Sequence, residues 1–373
     1  MNPLIFFVVF LGVFALLNLY ISRRLIAHLE VSVKAKKYLR LFLLINLLGI
    51  IGYVLGRYYI DVPNWLYFLF SVPIGVLFLL FCITLFYDIS HLLLRKVNIS
   101  KPRREFFKKS LDISSVTLAS GLSVTAMLEA RFVELENVDV KIKNLKKPYS
   151  IVQLSDVHIG GLIDADFIRS IVKRVNKLKP DLVVITGDLV DMDIRKIEAP
   201  LQELTHLKSH YGTYFIPGNH EYFHNIDAIL TKLKSLGIRV LKNENVYIGE
   251  SDKGFYLAGV YDIFGYRAEH HLPDLNSALR KVPNDAPTIL LAHQPKFIEE
   301  VRSGVDLMLS GHTHGGQLYP FKFLVALQQP YVRGLHQHDE RLQIYVNKGT
   351  GFWGPPMRLG ASSEITLISL LPA

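Results

Sequence analysis

At five places along the chain, metal-competent side chains directly follow a short apolar run. Leu154-Ser155 leads into Asp156-Val157-His158, and Thr186 into Gly187-Asp188-Leu189-Val190-Asp191. Pro217-Gly218 leads into Asn219-His220-Glu221, Leu291-Ala292 into His293, and Ser310-Gly311 into His312-Thr313-His314-Gly315-Gly316-Gln317. Carboxylate, imidazole and amide oxygens are the donors that hold reactive divalent metals. Alternate residues of an extended chain point the same way, so Asp156 and His158 are expected to face one site, as are His312 and His314. Gly187, Gly218 and Gly311 let the backbone turn sharply beside these donors. The single cysteine, Cys82, excludes an intramolecular disulfide and a Cys-rich zinc site.

The elements that must position these residues are short. Strands are expected over 149–155, 181–186, 213–216, 255–260, 288–292, 306–309, 343–347 and 365–370. Amphipathic, Lys-rich stretches predict helices over 164–178, 195–209 and 225–236. This alternation predicts an α/β domain, with a sheet covered by helices on both faces. Ligands of open α/β sheets gather beyond the carboxyl ends of the strands, so the five blocks are expected to converge on one spot.

Taken in order, D-x-H, G-D, G-N-H-E, H and G-H-x-H resemble the blocks of the calcineurin-like metallophosphoesterase superfamily. The Gly-His-Thr-His-Gly-Gly-Gln version, with an N-terminal membrane region, resembles its membrane-tethered bacterial subgroup. The resemblance runs from Tyr149 to the C-terminus. It implies a four-layer fold, a β-sandwich flanked by helices. It also implies two divalent metals, one held by Asp156, His158, Asp188 and His314, the other by Asp188, Asn219, His293 and His312, with Asp188 bridging. A bridging carboxylate holds two cations about 3.5–4 Å apart, the spacing suited to in-line displacement at phosphorus by a metal-bridging hydroxide. In this resemblance His220 is the proton donor to the leaving oxygen, and Asp191 orients it. Mixed oxygen and nitrogen ligands without thiolate favour Mn, Fe or Zn over the all-oxygen shells of Ca or Mg.

Other candidates are weaker. Arg333 and Arg358 follow the metal motifs and are candidate clamps for a phosphate or anionic headgroup. His206 and His210 fall four residues apart on a predicted helix, and His270, His271, His336 and His338 lie in polar connections that could line a cleft. The segment 318–341 is an insert expected to shape specificity. Asp193 is expected to be solvated.

The N-terminal third has another character. Half of all residues are hydrophobic and 20% are charged, with a mean hydropathy of +0.26. Residues 1–131 carry 15 Lys/Arg against 6 Asp/Glu, whereas residues 132–373 carry 27 of each. The excess positive charge therefore lies in the apolar region, which argues for loops flanking membrane spans and against nucleic-acid binding. Spans are expected over about 3–22, 39–56 and 65–87, with a weaker fourth over 111–128. This divides the chain into a transmembrane region, 1–131, and a metallophosphoesterase domain, 132–373. Basic residues cluster after the first and third spans, so the positive-inside rule puts both loops in the cytoplasm. A fourth span then places the catalytic domain outside it. Arg103-Arg104-Glu105-Phe106-Phe107-Lys108 resembles a twin-arginine export signal, displaced to an internal position.

The expected function is a membrane-anchored dimetal phosphoesterase acting on a phosphate mono- or diester, with a lipid or lipid-linked nucleotide as a fitting substrate. UDP-diacylglucosamine hydrolases share the blocks but face the cytoplasm, against the orientation expected here. The competing class is a non-catalytic sensor or scaffold with a retired phosphoesterase domain. Retired sites lose a ligand or the donor, whereas Asp188, Asn219 and His220 are all present. A transporter is disfavoured because the three clear spans carry no interior ionisable residue.

Overall fold

The computed structural model describes residues 3–373, with side chains described from Phe7 onward. The chain forms two compact units, Met1–Leu128 with Gly354–Leu359, and Glu129–Trp353 with Gly360–Ala373.

The first unit is all helical: α1 (Pro3–Ile21), a π-helical turn (Ser22–Ile26), α2 (Val33–Tyr58), α3 (Asn64–Lys96) and α4 (Lys101–Glu129). Each helix is long and apolar enough to cross a membrane. Phe14, Ile21, Leu43, Ile50, Leu77 and Tyr87 form the inner core. Val8, Leu16, Leu44, Ile45, Leu48 and Leu69 point outward and are exposed. Apolar surface costs about 25 cal/mol per Å² in water and nothing in lipid, so this unit associates with a membrane. On α2, Gly49 and Gly52 admit α3 closely, since a Cβ at either would lie 2.8 Å from Pro73 or Phe70. Small residues at such crossings are how lipid-embedded helices pack. Helix α4 starts ten residues before the expected fourth span, so Arg103 and Arg104 lie in its first turns.

The second unit contains two six-stranded sheets. One has the order β1-β12-β2-β3-β4-β5, the other β10-β11-β9-β8-β7-β6. The first is built from β1 (Val133–Ile142), β2 (Tyr149–Leu154), β3 (Leu182–Thr186), β4 (Thr213–Ile216), β5 (Arg239–Val240) and β12 (Ser363–Pro372). The second is built from β6 (Glu244–Ile248), β7 (Phe255–Gly259), β8 (Thr288–Leu291), β9 (Leu307–Ser310), β10 (Gly334–Gln337) and β11 (Gln343–Val346). The expected single sheet is therefore two sheets packed face to face, and the four-layer sandwich is the architecture. Side-chain alternation shows why. Leu182 and Val184 face the inter-sheet core with Ile289, Leu291, Leu307 and Leu309. Val183 and Ile185 face the opposite way, against Ile168, Ile171 and Val175 of α5 (Ala165–Leu178). Strands buried on both faces read as continuous apolar runs, and each such side chain contributes about 1.5–3 kcal/mol.

The helix expected over 195–209 is instead broken into a 3-10 turn, α6 (Glu198–Glu203) and a second 3-10 turn ending at His206. Pro200 explains the restart: it has no N–H to give and would clash with the carbonyl four residues earlier, but it is tolerated in a first turn. His206 and His210 consequently do not share a helix face. The two short helices that follow are α7 (Asn219–Phe223) and α8 (Ile226–Ser235), the latter capped by Asn225 through the Ala228 N–H.

Candidate metal centre

The donor residues follow the ends of β2, β3, β4, β8 and β9. Backbone hydrogen bonds keep neighbouring segments in step past the strands. Asp156 N–H donates to the Gly187 carbonyl (3.0 Å), His158 N–H to Asp188 (3.0 Å), and Gly311 N–H to His293 (2.9 Å). The chain is not extended here. Asp156, His158, Asp188, His312 and His314 all have φ between 50° and 71°. The expected side-by-side orientation from extended backbone is replaced by a run of left-handed residues. Such residues cost about 1–3 kcal/mol each and gather where function over-determines them. Gly187, at φ 89°, touches the Gly218 segment so closely that a Cβ would lie 2.7 Å from the Gly218 nitrogen.

Three overlapping groups result among the described residues: a group of His158, Asp191 and His220, and two built from the expected ligands. In one, Asp156, His158 and His314 are buried with their ligating atoms within 4.8 Å of one another. His158 Nε2 and His314 Nε2 lie 3.0 Å apart, and His314 Nε2 is 3.5 Å from Asp156 Oδ1. In the other, Asp188, His293 and His312 meet within the same limit. His293 Nε2 is 3.2 Å from both Asp188 Oδ2 and Asn219 Oδ1. Asp188 Oδ2 is also 4.0 Å from His158 Nε2, so one carboxylate reaches both groups.

Their chemistry fits divalent cations. His293 Nδ1–H donates to the Thr186 carbonyl at 2.7 Å, which turns Nε2 toward the Asp188 and Asn219 oxygens. Two oxygens and this nitrogen converge on one place that favours positive charge, which a divalent ion would supply when bound. The local electrostatics agree. Burial would lower the basicity of His293, but the Asp188 charge outweighs it and holds the imidazole well above its ordinary range. Burial would raise the Asp188 carboxyl, yet His293 and His220 hold it well below the usual carboxylate range. Burial and the His293 charge push His312 down to about 3, so it stays a neutral donor. No thiol takes part, because Cys82 lies on α3.

Beside the two groups stands a buried dyad. His220 Nδ1–H donates to Asp191 Oδ1 at 2.6 Å, and its Nε2 lies 3.9 Å from Asp188 Oδ2. The rings of Phe223 and Trp353 flank His220 at 5.2 and 5.9 Å. Gln317, the last residue of the glycine-rich motif, clamps Trp353 by accepting its N–H (3.0 Å) and donating to its carbonyl (2.7 Å).

Glu221 has a role that its place in the motif does not announce. It is fully buried and accepts the N–H groups of Gly218 (2.7 Å), Asp188 (3.0 Å) and Val190 (3.0 Å). One carboxylate thus ties the Asp188 loop to the Asn219-His220 loop. Burial and the Asp188 charge push its carboxyl up to about 8. The sequence signal was the fourth letter of G-N-H-E, a glutamate three residues after a helix-starting glycine.

The two arginines part ways. Arg333 is exposed on the insert and donates to the Gly360 carbonyl (2.9 Å). Arg358 has no exposed surface, lies in the segment Gly354–Leu359 of the helical unit, and donates its backbone N–H to Ala126 (2.8 Å). His271 pairs with Asp227 (3.3 Å), while Tyr331 packs against His336 and contacts His338 (3.1 Å).

A two-sheet sandwich carrying clustered carboxylates and imidazoles at its strand ends defines a metal-dependent phosphoesterase that uses two divalent ions. Residues 149–316 match the calcineurin-like phosphoesterase family. The chain is 39% identical to an uncharacterised metallophosphoesterase of Helicobacter pylori over 98% of both chains. It is 35% identical to one of Campylobacter jejuni, again over 98% of each. A Bos taurus transmembrane protein with a metallophosphoesterase domain is 37% identical over 74% of this chain and 65% of its own. The chain belongs to the calcineurin-like metallophosphoesterases.

Proposed function

We propose that this protein is a multi-pass, membrane-anchored phosphoesterase that hydrolyses a phosphate mono- or diester of an amphiphilic substrate. The observation that carries the reading is the position of Asp188 Oδ2, 3.2 Å from His293 and 4.0 Å from His158, with the His220–Asp191 dyad alongside. Asp156, His158, Asp188 and His314 would hold one ion, and Asp188, Asn219, His293 and His312 the other. When bound, the two ions supply charge neutralisation for phosphoryl oxygens and lower the pKa of an attacking water.

The chain's own residues do the rest. His220 N–H anchors Asp188 Oδ1 at 2.8 Å, so Oδ2 is aimed at the donors. Asp191 fixes the His220 tautomer by accepting Nδ1–H, which leaves Nε2 to carry the proton for the leaving oxygen. Phe223 and Trp353 pack edge-on against the His220 ring. Arg333 remains a candidate headgroup contact. Arg358 is fully buried, so Arg333 is the better placed of the two candidates.

An amphiphilic substrate is supported by the rim. Phe223 and Trp353 are about half exposed, and the insert presents Tyr319, Phe321, Phe323, Leu324 and Leu327 to solvent. Lys322 Nζ lies over the Tyr319 and Phe323 rings at 5.2 and 5.3 Å. Contiguous exposed apolar surface beside a phosphate site suits a lipid or lipid-linked nucleotide better than a soluble sugar phosphate. Basic residues around the α1–α2 and α3–α4 connections favour a cytoplasmic position for both, and with four crossings this reading has the catalytic domain on the other side. The Arg103-Arg104 stretch fits an export signal read at the start of α4. Manganese is the first metal to try.

The full-length chain, purified in detergent and loaded with manganese, is expected to cleave bis-p-nitrophenyl phosphate or the monoester, and a chelator to abolish this. A panel of monoesters, diesters and phospholipids then ranks substrates. No turnover of any of them with Mn, Fe or Zn would overturn the reading. Protease added to intact cells should reach the catalytic domain.

A further inference from the structure

The helical unit contains a polar cavity lined by none of the metal-donor residues. At the π-helical turn after α1, against the last third of α3, Arg24, His28, Tyr87, Asp88, His91 and Arg95 enclose about 60 Å³. That is room for several waters or one tetrahedral oxyanion.

Helix geometry gives its depth. The uncharged stretch of α3 from Trp65 to Tyr87 rises about 34 Å at 1.5 Å per residue, enough for a hydrocarbon core of about 30 Å. Asp88, His91 and Arg95 follow in the next turns and therefore lie at headgroup level. The uncharged stretch of α1 also ends at this level, just before Arg23 and Arg24.

The lining is prepared for an anion. Its only carboxylate, Asp88, is already engaged: Oδ2 accepts Arg24 Nε–H (2.8 Å) and the Tyr20 hydroxyl (2.5 Å). Arg24 also interacts with the Tyr20 hydroxyl, and its half-exposed guanidinium lines the cavity mouth. Arg95 has no hydrogen-bond or ion-pair partner among the described residues. The imidazoles form a fixed wall. His28 Nδ1–H donates to the Arg24 carbonyl (2.9 Å), the two histidine rings lie 6.1 Å apart, and Tyr87 stacks on His91 at 5.9 Å. Tyr87 is itself held by its hydroxyl, which donates to Asp112 (2.9 Å).

We propose that this cavity binds the phosphate of an anionic phospholipid headgroup. Two guanidinium groups facing one small cavity at headgroup depth match a phosphate diester, and basic pockets between helices at this level recognise such groups. The proposal rests on the reading that the helices cross a membrane.

The test uses the full-length chain in mild detergent, with retained lipid measured by native mass spectrometry after adding phosphatidylglycerol, phosphatidylcholine or inorganic phosphate. Phosphatidylglycerol should be retained over phosphatidylcholine. Arg95→Gln should weaken retention about fivefold, the effect of one basic residue near a lipid surface, and His91→Gln should also weaken it. Lys34→Gln, basic but outside the cavity, should change nothing. Arg95→Gln breaks no bond in the fold, and its helical circular dichroism should match wild type. Equal phosphatidylglycerol retention by folded Arg95→Gln and wild type would overturn the proposal. Displacement of the lipid by millimolar inorganic phosphate would replace it with a soluble-oxyanion site. Release of the chain from membranes by a carbonate wash would overturn the membrane reading and this proposal with it.

Discussion

The metal centre and the helical unit bury polar groups by different means. In the metal centre, donors are fixed by bonds from distant segments: Asp188 by the His220 N–H, Asp156 by the His312 N–H, His293 by the Thr186 carbonyl, and both loops by the Glu221 side chain. Five donors sit on left-handed residues that no element would adopt unaided. In the helical unit most of the backbone is helix, and the buried Asn46, Ser71, Thr84 and Ser123 donate to carbonyls of their own helix one turn back, while Asp112 accepts from the Tyr87 hydroxyl and the Glu30 N–H. Particular residues at particular places define the first region. Average apolarity and length define most of the second. Substitutions should therefore be felt very differently in the two.

The largest effect is expected at the shared carboxylate. Asp188→Asn should lower kcat/KM by more than about a thousandfold, since bound metals contribute several kcal/mol at the transition state. Steady-state turnover of bis-p-nitrophenyl phosphate checks this, and a variant within tenfold of wild type would break the contrast. His220→Ala should cost about 10²–10⁴ in kcat. The loss should be greatest for alkyl leaving groups and least for p-nitrophenolate, which needs no proton. A loss independent of leaving group would mean that His220 acts otherwise. Glu221→Gln should weaken metal binding about 10–100-fold, read by manganese titration, because it strips one of the loops of its acceptor. In the sandwich core, Leu291→Ala should cost about 2–5 kcal/mol in denaturant unfolding of the catalytic unit. At the small end, Leu48→Val on the outward face of α2 should change neither membrane fractionation nor turnover. A large loss there would show that the helical unit is also specified residue by residue.

The same contrast explains what could be read in advance. That the donor-rich blocks would meet was legible because their order and spacing are chemical, and strands end where these residues begin. The helices α1–α3 were legible from apolar length alone. Register between strands was not. Val183 and Val184 are equally apolar yet face different layers, so an alternating string of strands and helices gives no count of sheets. The strand Val133–Ile142 does alternate in the sequence, but it precedes the first motif and gains its meaning only by pairing with Ser363–Pro372. The left-handed backbone at Asp156 and His312 was not foreseen: aspartate and histidine tolerate that region better than most residues, but their types alone do not mark which positions adopt it. Glu221 was hidden for a similar reason: its partners are backbone N–H groups that no motif spells out. Pro200 was visible, and the position of one proline decided where a long helical stretch had to restart.

Metal content is the plainest test of the dimetal site. The full-length protein, saturated with manganese and freed of excess, should hold two ions per chain by elemental mass spectrometry, and Asp188→Asn no more than one. Wild type holding one ion or none, or a variant that retains both, would contradict a carboxylate shared between two donor groups.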